Sequence, residues 1–406
     1  MDSTITSASQ ALAAGNPLDA MNLVALRDDA PALALRGIAM AQIGDLVRAK
    51  SLLRDAVRAF GPQDRVAQAR CIVAETEIAL ATRDLGWSAK RLDAARKTLE
   101  THHDHANAAL ARHIELRRQL LLGKLDHVEQ TLSEIDTTPY PPALKASHEL
   151  VIASTRIRRL QTQSARQALV RAARYARQSG IPGLMAEIED AALVLNTPAA
   201  RLITSGRERL VLLEEVEALL ASRSLVIDAC RYDVRLGDTT ISLARRPLLF
   251  TLIRILSEAW PNDISRDMLI EQAFRTKYAD DTHRVRLRVE IGRLRKLLKE
   301  LLDIEATPRG FVLLPGQAQE VAVLARPIEE RHGSLLALLA DGQAWSSSAL
   351  AAALGASQRT VQRTLDTLVT TGKVQSFGHG RTRRWLLPSI PTFTTTLLLP
   401  TPLPGD

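Results

Sequence analysis

The sequence predicts a mainly α chain in which a long helical array is followed by two smaller α+β units. Three observations carry this. Aromatics are only 3% of the 406 residues while Leu and Ala are abundant, which favours helix. Residues 1–200 fall into amphipathic stretches broken at Gly15-Asn16-Pro17, Gly61-Pro62, Thr138-Pro139-Tyr140-Pro141-Pro142 and Gly180-Ile181-Pro182-Gly183. The texture changes at Leu225, and again at Val374, to the alternation of strands.

Composition narrows the function classes. The two cysteines, Cys71 and Cys230, exclude a disulfide framework and a Cys-rich zinc module. No apolar run approaches the ~20 residues of a membrane span. The best candidate, Leu248 to Leu256, carries Arg254. The N-terminus lacks a basic region followed by an apolar stretch, so the expected compartment is the cytoplasm, with no membrane partner. Net charge is +8 and the pI is near 9.8, which points to a polyanionic partner. The excess is spread thinly along the chain, so a nucleic-acid site has to be a local patch. The H-E-x-x-H, G-x-x-x-x-G-K and G-x-G-x-x-G motifs are absent, and no nucleophile elbow appears. No enzymatic activity, metal or cofactor is therefore expected.

Within residues 1–185, Leu33 to Phe60 is the most informative stretch. Gly37 and Ala49 are small enough for two helices to approach closely, and Gly44-Asp45 makes the turn between them. This pattern resembles a tetratricopeptide unit. Comparable positions recur at Ala49, Ala89, Val128 and Ala168, at spacings of 40, 39 and 40. The turns are placed at Gly44, Arg83-Asp84, Gly123-Lys124 and Gln161-Thr162. Each hairpin buries its apolar stripe only against its neighbours, and stacking creates a curved surface suited to a protein or peptide partner. The alternative is a dimerisation or spacer role. His102-His103-Asp104-His105 reads as a solvated loop rather than a metal site. Residues 186–223 read as a connector helix with Leu210, Leu213, Val216 and Leu220 on one stripe, suited either to a homodimer seam or to packing on the array.

The strongest signal lies in residues 224–316. Leu225 to Asp228 and Tyr232 to Leu236 alternate as strands, Gly237-Asp238 turns, and Thr240 to Leu243 resumes. Helices follow at Pro247 to Ala259, at Ser265 to Phe274 with Ser265 as the cap, and at Thr282 to Leu302. A hairpin over Ala306 to Leu314 closes the unit. On the third helix Leu287, Ile291, Leu294, Leu298 and Leu301 step by 4, 3, 4 and 3 and share one face. Thr282, Val285, Arg286, Val289, Arg293 and Lys296 fall opposite. Residues 284–299 hold seven basic side chains and one acid, Glu290. A merely solvated face would mix Glu with Lys and would not expose valines. Arginine forks suit guanine edges or phosphates, and small apolar groups suit thymine methyls.

The stretches LVIDACRYDVRLGDTTISLARRPLLFTLIRIL, ISRDMLIEQAF, RVRLRVEIGRLRKLLKEL and ATPRGFVLL, in this order, resemble the OmpR/PhoB-type winged-helix effector domain of bacterial response regulators. The resemblance implies a unit that binds double-stranded DNA. It places Arg286, Arg288, Val289 and Arg293 towards bases or nearby phosphates, Arg295 at the periphery, and Arg309 in the wing towards a minor groove. The wing reads Arg-Gly-Phe where a longer Arg-Gly-x-Gly-Tyr is common. No phosphoacceptor receiver domain is visible, and the helical array stands in its place.

Residues 327–388 form a second unit. Leu335, Leu336, Leu338 and Leu339 mark one helix. Ser346-Ser347-Ser348 caps another, Gly355 turns, and Ser357 caps a third helix with Val361, Leu365 and Leu368 on one stripe. Strands flank Gly378-His379-Gly380-Arg381. The run ALAAALGASQRTVQRTLDTLVTTGKV is similar to many bacterial winged-helix repressors. That likeness implies that Gln358, Arg359, Gln362 and Arg363 project from the helix, with Arg381, Arg383 and Arg384 meeting phosphates from the wing. Protein docking or dimerisation is the competing use of this unit. Residues 389–406, with four prolines from Pro391 on, are expected to be a disordered tail. The whole chain reads as a transcription regulator, the alternative being a scaffold whose winged helices dock proteins.

Overall fold

The computed structural model describes residues 2–81, 86–276, 278–326, 333–339, 345–354, 356–378, 380 and 383–387. The expected turn at Arg83-Asp84, the residues Gly355, His379 and Arg381, and the tail lie outside the described residues. The chain is mainly helical, with small sheets.

Among the described residues, eleven helices come first: α1 (Ser3–Ala13), α2 (Pro17–Val24), α3 (Ala30–Ile43), α4 (Leu46–Ala59), α5 (Arg65–Ala81), α6 (Ala89–Thr101), α7 (His105–Leu121), α8 (Leu125–Ser133), α9 (Pro142–Arg158), α10 (Thr162–Ser179) and α11 (Pro182–Asn196). Side-chain caps start several of them. Asp29 accepts from Ala32 N, Asp45 from Arg48 N and Ser88 from Arg91 N, each satisfying an otherwise orphaned helix N–H. Gly44 (φ 99°) closes α3 in the left-handed region, which glycine enters without a Cβ penalty.

Each helix packs on its successors, and the contacts place Leu53 of α4 against Gly37 of α3. The recurrence is less regular than the 40-residue spacing. Ala89 is the exposed first residue of α6, so it is not the packing position. Ala49, Leu92, Val128 and Ala165 are each the fourth residue of their helix and all are buried, at spacings of 43, 36 and 37. Small-residue counting missed this because a leucine serves in the α6 hairpin. The His102–His105 stretch also differs from a plain solvated loop. His102, His103 and His105 are exposed, but Asp104 is buried, caps α7 through Asn107 N and pairs with Arg70 at 2.6 Å.

The connector helix expected over 186–223 is not present. After α11, β1 (Ala200–Thr204) and β2 (Arg207–Val211) form a hairpin, followed by the short α12 (Leu213–Leu220). Leu210 therefore sits on a strand, 54% exposed, and shares no helical stripe with Val216. Glu217 of α12 accepts from Thr162 N at 2.8 Å and from Thr162 Oγ1 at 2.6 Å, which ties α12 to the start of α10.

Next come β3 (Leu225–Asp228), β4 (Asp233–Leu236), β5 (Thr239–Ser242), α13 (Pro247–Ala259), β6 (Ile264–Ser265), α14 (Arg266–Phe274), α15 (Asp281–Leu298), β7 (Asp303–Ala306), β8 (Gly310–Leu314) and β9 (Val321–Ala325). The third helix thus ends at Leu298 rather than at residue 302, and the hairpin begins at Asp303. The segment between the two expected units carries β9. It lies at the centre of a six-stranded sheet ordered β2-β1-β9-β3-β4-β5, antiparallel to β1 and parallel to β3. Both faces are covered. Leu225, Ile227, Val321 and Val323 join the core containing α13, while Val226, Ala322 and Leu324 pack with Val216 of α12. A strand buried on both faces reads as a continuous apolar run, as VAVLA does. The strands β6-β8-β7 form a second, three-stranded sheet.

The last part comprises α16 (Gly333–Leu339), α17 (Ser347–Leu354), α18 (Gln358–Thr370) and the hairpin β10 (Gln375–Phe377) and β11 (Arg384–Leu386). Leu335, Leu339, Leu350, Val361, Leu365, Leu368 and Trp385 make its core. Leu386 and Phe377 pack instead with the core of the long helical region. Among the described residues, no helix is long and apolar enough to cross a membrane.

Candidate nucleic-acid interface

The helix α15 is fixed on one side and open on the other. Asp280 caps it, accepting from His283 N at 2.7 Å. Leu287, Ile291, Leu294 and Leu298 are buried against Leu249, Leu252 and Ile253 of α13 and Leu269 and Ile270 of α14. The apolar stripe thus holds the helix, and the basic stripe must face away from the core. Leu301, past the helix end, is buried in the same core.

On the outward side Val285 and Val289 are 57% and 48% exposed, and Arg286, Arg288 and Arg293 are exposed. Half-exposed β-branched residues weaken a helix surface and add little burial to the fold. Arg286 is not loose: its guanidinium lies 4.8 Å from the Phe274 ring, a cation–π contact that presets its direction. Arg293 donates to Glu290 at 2.8 Å with 64% of its side chain exposed. Arg284 is partly neutralised by Asp267 and Asp281, at 3.3 and 3.4 Å. Beside this face a cleft of about 740 Å³ opens between Arg246, Pro247 and Leu248 at the start of α13 and Glu290, Arg293, Lys296 and Leu297 of α15. Three of its charged groups are basic and one is acidic, so its field favours an anion.

One arginine expected in this set faces elsewhere. Arg295 is half-buried and donates through Nε to the Ile304 carbonyl at 2.5 Å, tying α15 to β7. Its position, about 80° from the leucine seam, lets it reach the adjacent strand before solvent.

Arg309 stands on the β7–β8 turn with 71% of its side chain exposed, its guanidinium 3.6 Å from Asp263. The turn beneath it is braced by residues that sequence inspection did not single out. Arg266 donates to the carbonyls of Pro308 and Thr307, at 3.0 and 2.9 Å, and Thr307 Oγ1 donates to Asp263 at 2.7 Å. A Cβ on Gly310 would fall 1.7 Å from the Ile264 carbonyl oxygen, so only glycine lets β8 approach β6. These braces join positions about 40 residues apart and leave no local spacing signal. Phe274 is likewise recognisable only once α14 and α15 are packed together.

In the last unit, Ser357 caps α18 by accepting from Thr360 N at 3.1 Å, and Arg359, Gln362 and Arg363 are exposed. Three residues of the expected interface have partners within the unit. Gln358 Nε2 donates to Ser347 Oγ of α17 at 3.1 Å. Arg383 donates to Ser376 Oγ at 3.1 Å, and its guanidinium covers the Trp385 ring at 5.0 Å. Arg384 donates to the Arg383 carbonyl at 3.1 Å. Arg383 is thus engaged across the short hairpin by Ser376, and Arg384 by the carbonyl beside it in the chain.

Among the described residues no three His, Cys, Asp or Glu side chains come together as a metal site would need. Comparison with protein-family models, with curated proteins and with solved structures finds no match for this chain.

Proposed function

We propose that the chain is a cytoplasmic bacterial transcription regulator that binds double-stranded DNA through α15. The observation that carries this reading is the polarity of one helix. Four leucine or isoleucine side chains bury one face, while two valines and three arginines remain uncovered on the other. Folding alone gives no return for uncovered valines, whereas a major groove offers methyl groups and guanine edges to that combination. The order of elements supports a winged-helix reading of residues 225–314: three strands, α13, α14, α15 and the β7–β8 wing. The β1–β2 hairpin and β9 then enlarge its sheet.

In this mechanism Arg286, Arg288 and Arg293 neutralise phosphates or fork onto guanine. Val285 and Val289 set apolar contacts, and Arg309 reaches a minor groove from the wing. Lys296 and Arg246 add backbone contacts along the cleft, and Lys299 adds one outside it. Helices α3 to α10 are read as a tetratricopeptide-like array for a protein or peptide partner or a homodimer. For the C-terminal unit a docking role is the better reading. Phe377 and Leu386 of its hairpin pack with the helical core, and Arg383 is taken up internally. Arg359, Gln362 and Arg363 remain available on α18.

Fluorescence anisotropy of labelled random duplex at two salt concentrations tests the proposal. Binding that weakens steeply as salt rises is expected, with log K falling by about 0.9 per phosphate contact for each tenfold rise in salt. Salt-independent or absent binding would favour the scaffold alternative.

A further inference from the structure

Glycine inside a helix is unfavourable relative to alanine, because its backbone loses more freedom on folding. Where one occurs, some atom normally needs the space. Gly37 shows the internal case: a Cβ there would stand 2.9 Å from Leu53 Cγ and 3.3 Å from the Ala49 carbonyl oxygen. Gly292 is the opposite case. It lies well inside α15, is exposed, and a Cβ built on it meets no described atom within 4 Å. Nothing in the fold of the described chain uses the missing side chain.

The position on the helix says what would. At ~100° per residue, Gly292 lies on the outward side with Val285, Val289 and Lys296. Arg288 and Lys296 sit four residues before and after it, on the same side of the helix. It is therefore a bare patch of backbone surrounded by cations and exposed methyl groups. Lysine and arginine stems swing aside when a large surface docks, but a Cβ is fixed to the backbone and cannot. We infer that Gly292 is a positioning notch for duplex DNA, which lets the α15 backbone seat against a groove wall with Arg288 and Lys296 reaching phosphates on either side. The inference rests on the DNA-binding reading given above.

The test uses the full chain with Gly292→Ala and Gly292→Leu, thermal unfolding, and anisotropy titration of the same duplex across a salt series. Both substituents favour helix, so the thermal midpoint should hold or rise by about 2 °C. Affinity should fall, by about tenfold for the leucine variant and less for alanine, as steric overpacking of a close contact does. The salt slope should not change, because no charge is removed. A leucine variant that binds as tightly as the parent chain would overturn the notch. So would an alanine variant with a lowered thermal midpoint, since the glycine would then serve the fold itself. Absence of salt-dependent binding by the parent chain would defeat the DNA-binding reading, and this inference with it. That failure shows before any variant is compared.

Discussion

Replacing Arg293 with alanine probes the interface at its most informative point. The side chain is 64% exposed and donates to Glu290 at 2.8 Å, whereas Glu290 itself is only 13% exposed. Two consequences follow for binding. One cationic contact is lost, which costs about 1–3 kcal/mol when the arginine forks onto a base. Glu290 also keeps its charge beside the cleft with its partner gone. A phosphate ~6 Å from that carboxylate in water-like surroundings adds repulsion of about 0.7 kcal/mol. Together these weaken binding by roughly tenfold to several hundredfold, at 1.4 kcal/mol per decade. The fold should respond little, because a pair three residues apart on one helix, with the arginine side open to solvent, stabilises it by only about 0.3–0.5 kcal/mol. Anisotropy titrations of Arg293→Ala, Glu290→Gln and the double variant separate the two parts. The double variant should recover about threefold of the loss. Parent-like affinity in a folded Arg293→Ala variant would refute the assignment of α15 as the reading helix.

Lys299→Ala should weaken all duplex sequences evenly and reduce the salt slope by about 0.9, since a lysine on a phosphate reads no base; competition between two unrelated duplexes checks this. Gly37→Val should destabilise the helical region by about 1–3 kcal/mol, because its branches meet Leu53 and the Ala49 carbonyl in the α3–α4 contact; denaturant titration measures it. The buried interior of α5, α7 and α9 should make stability depend on pH. Burial pushes Glu77 from 4.5 up to about 8 against the pull of Arg117, so its contribution is complete below pH 4.5 and lost as pH rises to about 8. Burial lowers His113 from 6.5 to about 3; it donates to the Ala109 carbonyl and contacts His148 at 3.0 Å, so its contribution is complete above pH 6.5 and lost on acidification. These slopes oppose one another between pH 4.5 and 6.5, where the neighbouring His148, also lowered by burial, adds to the His113 side. From there to about pH 8, stability should fall by about 1.4 kcal/mol per pH unit. Glu77→Gln should flatten that alkaline limb in thermal melts, and an unchanged limb would assign the loss to another group.

Local information reached a long way into this chain. Helix starts were legible where a cap stands before a periodic run, as at Ser265 and Ser357, because a side-chain oxygen and its N–H target lie three residues apart. The two faces of α15 were legible because a 3.6-residue period sorts leucine from arginine without reference to the rest of the chain. Residues 200–211 were misread as helix, and 321–325 fell between the two expected units, because their strands pair with partners far away in sequence; only that pairing gives β9 its place at the centre of the sheet.

What the sequence determined by itself, then, is where the capped helices begin and which side of α15 is basic. Both follow from spacing within one element. Only the tertiary structure decided which arginines stay available. Arg295 and Arg383 are taken up by neighbouring backbone and side-chain oxygens, while Arg286 is aimed by Phe274. Whether a cation meets solvent or an internal partner depends on what the fold brings within about 3 Å of it, and no period in the chain encodes that.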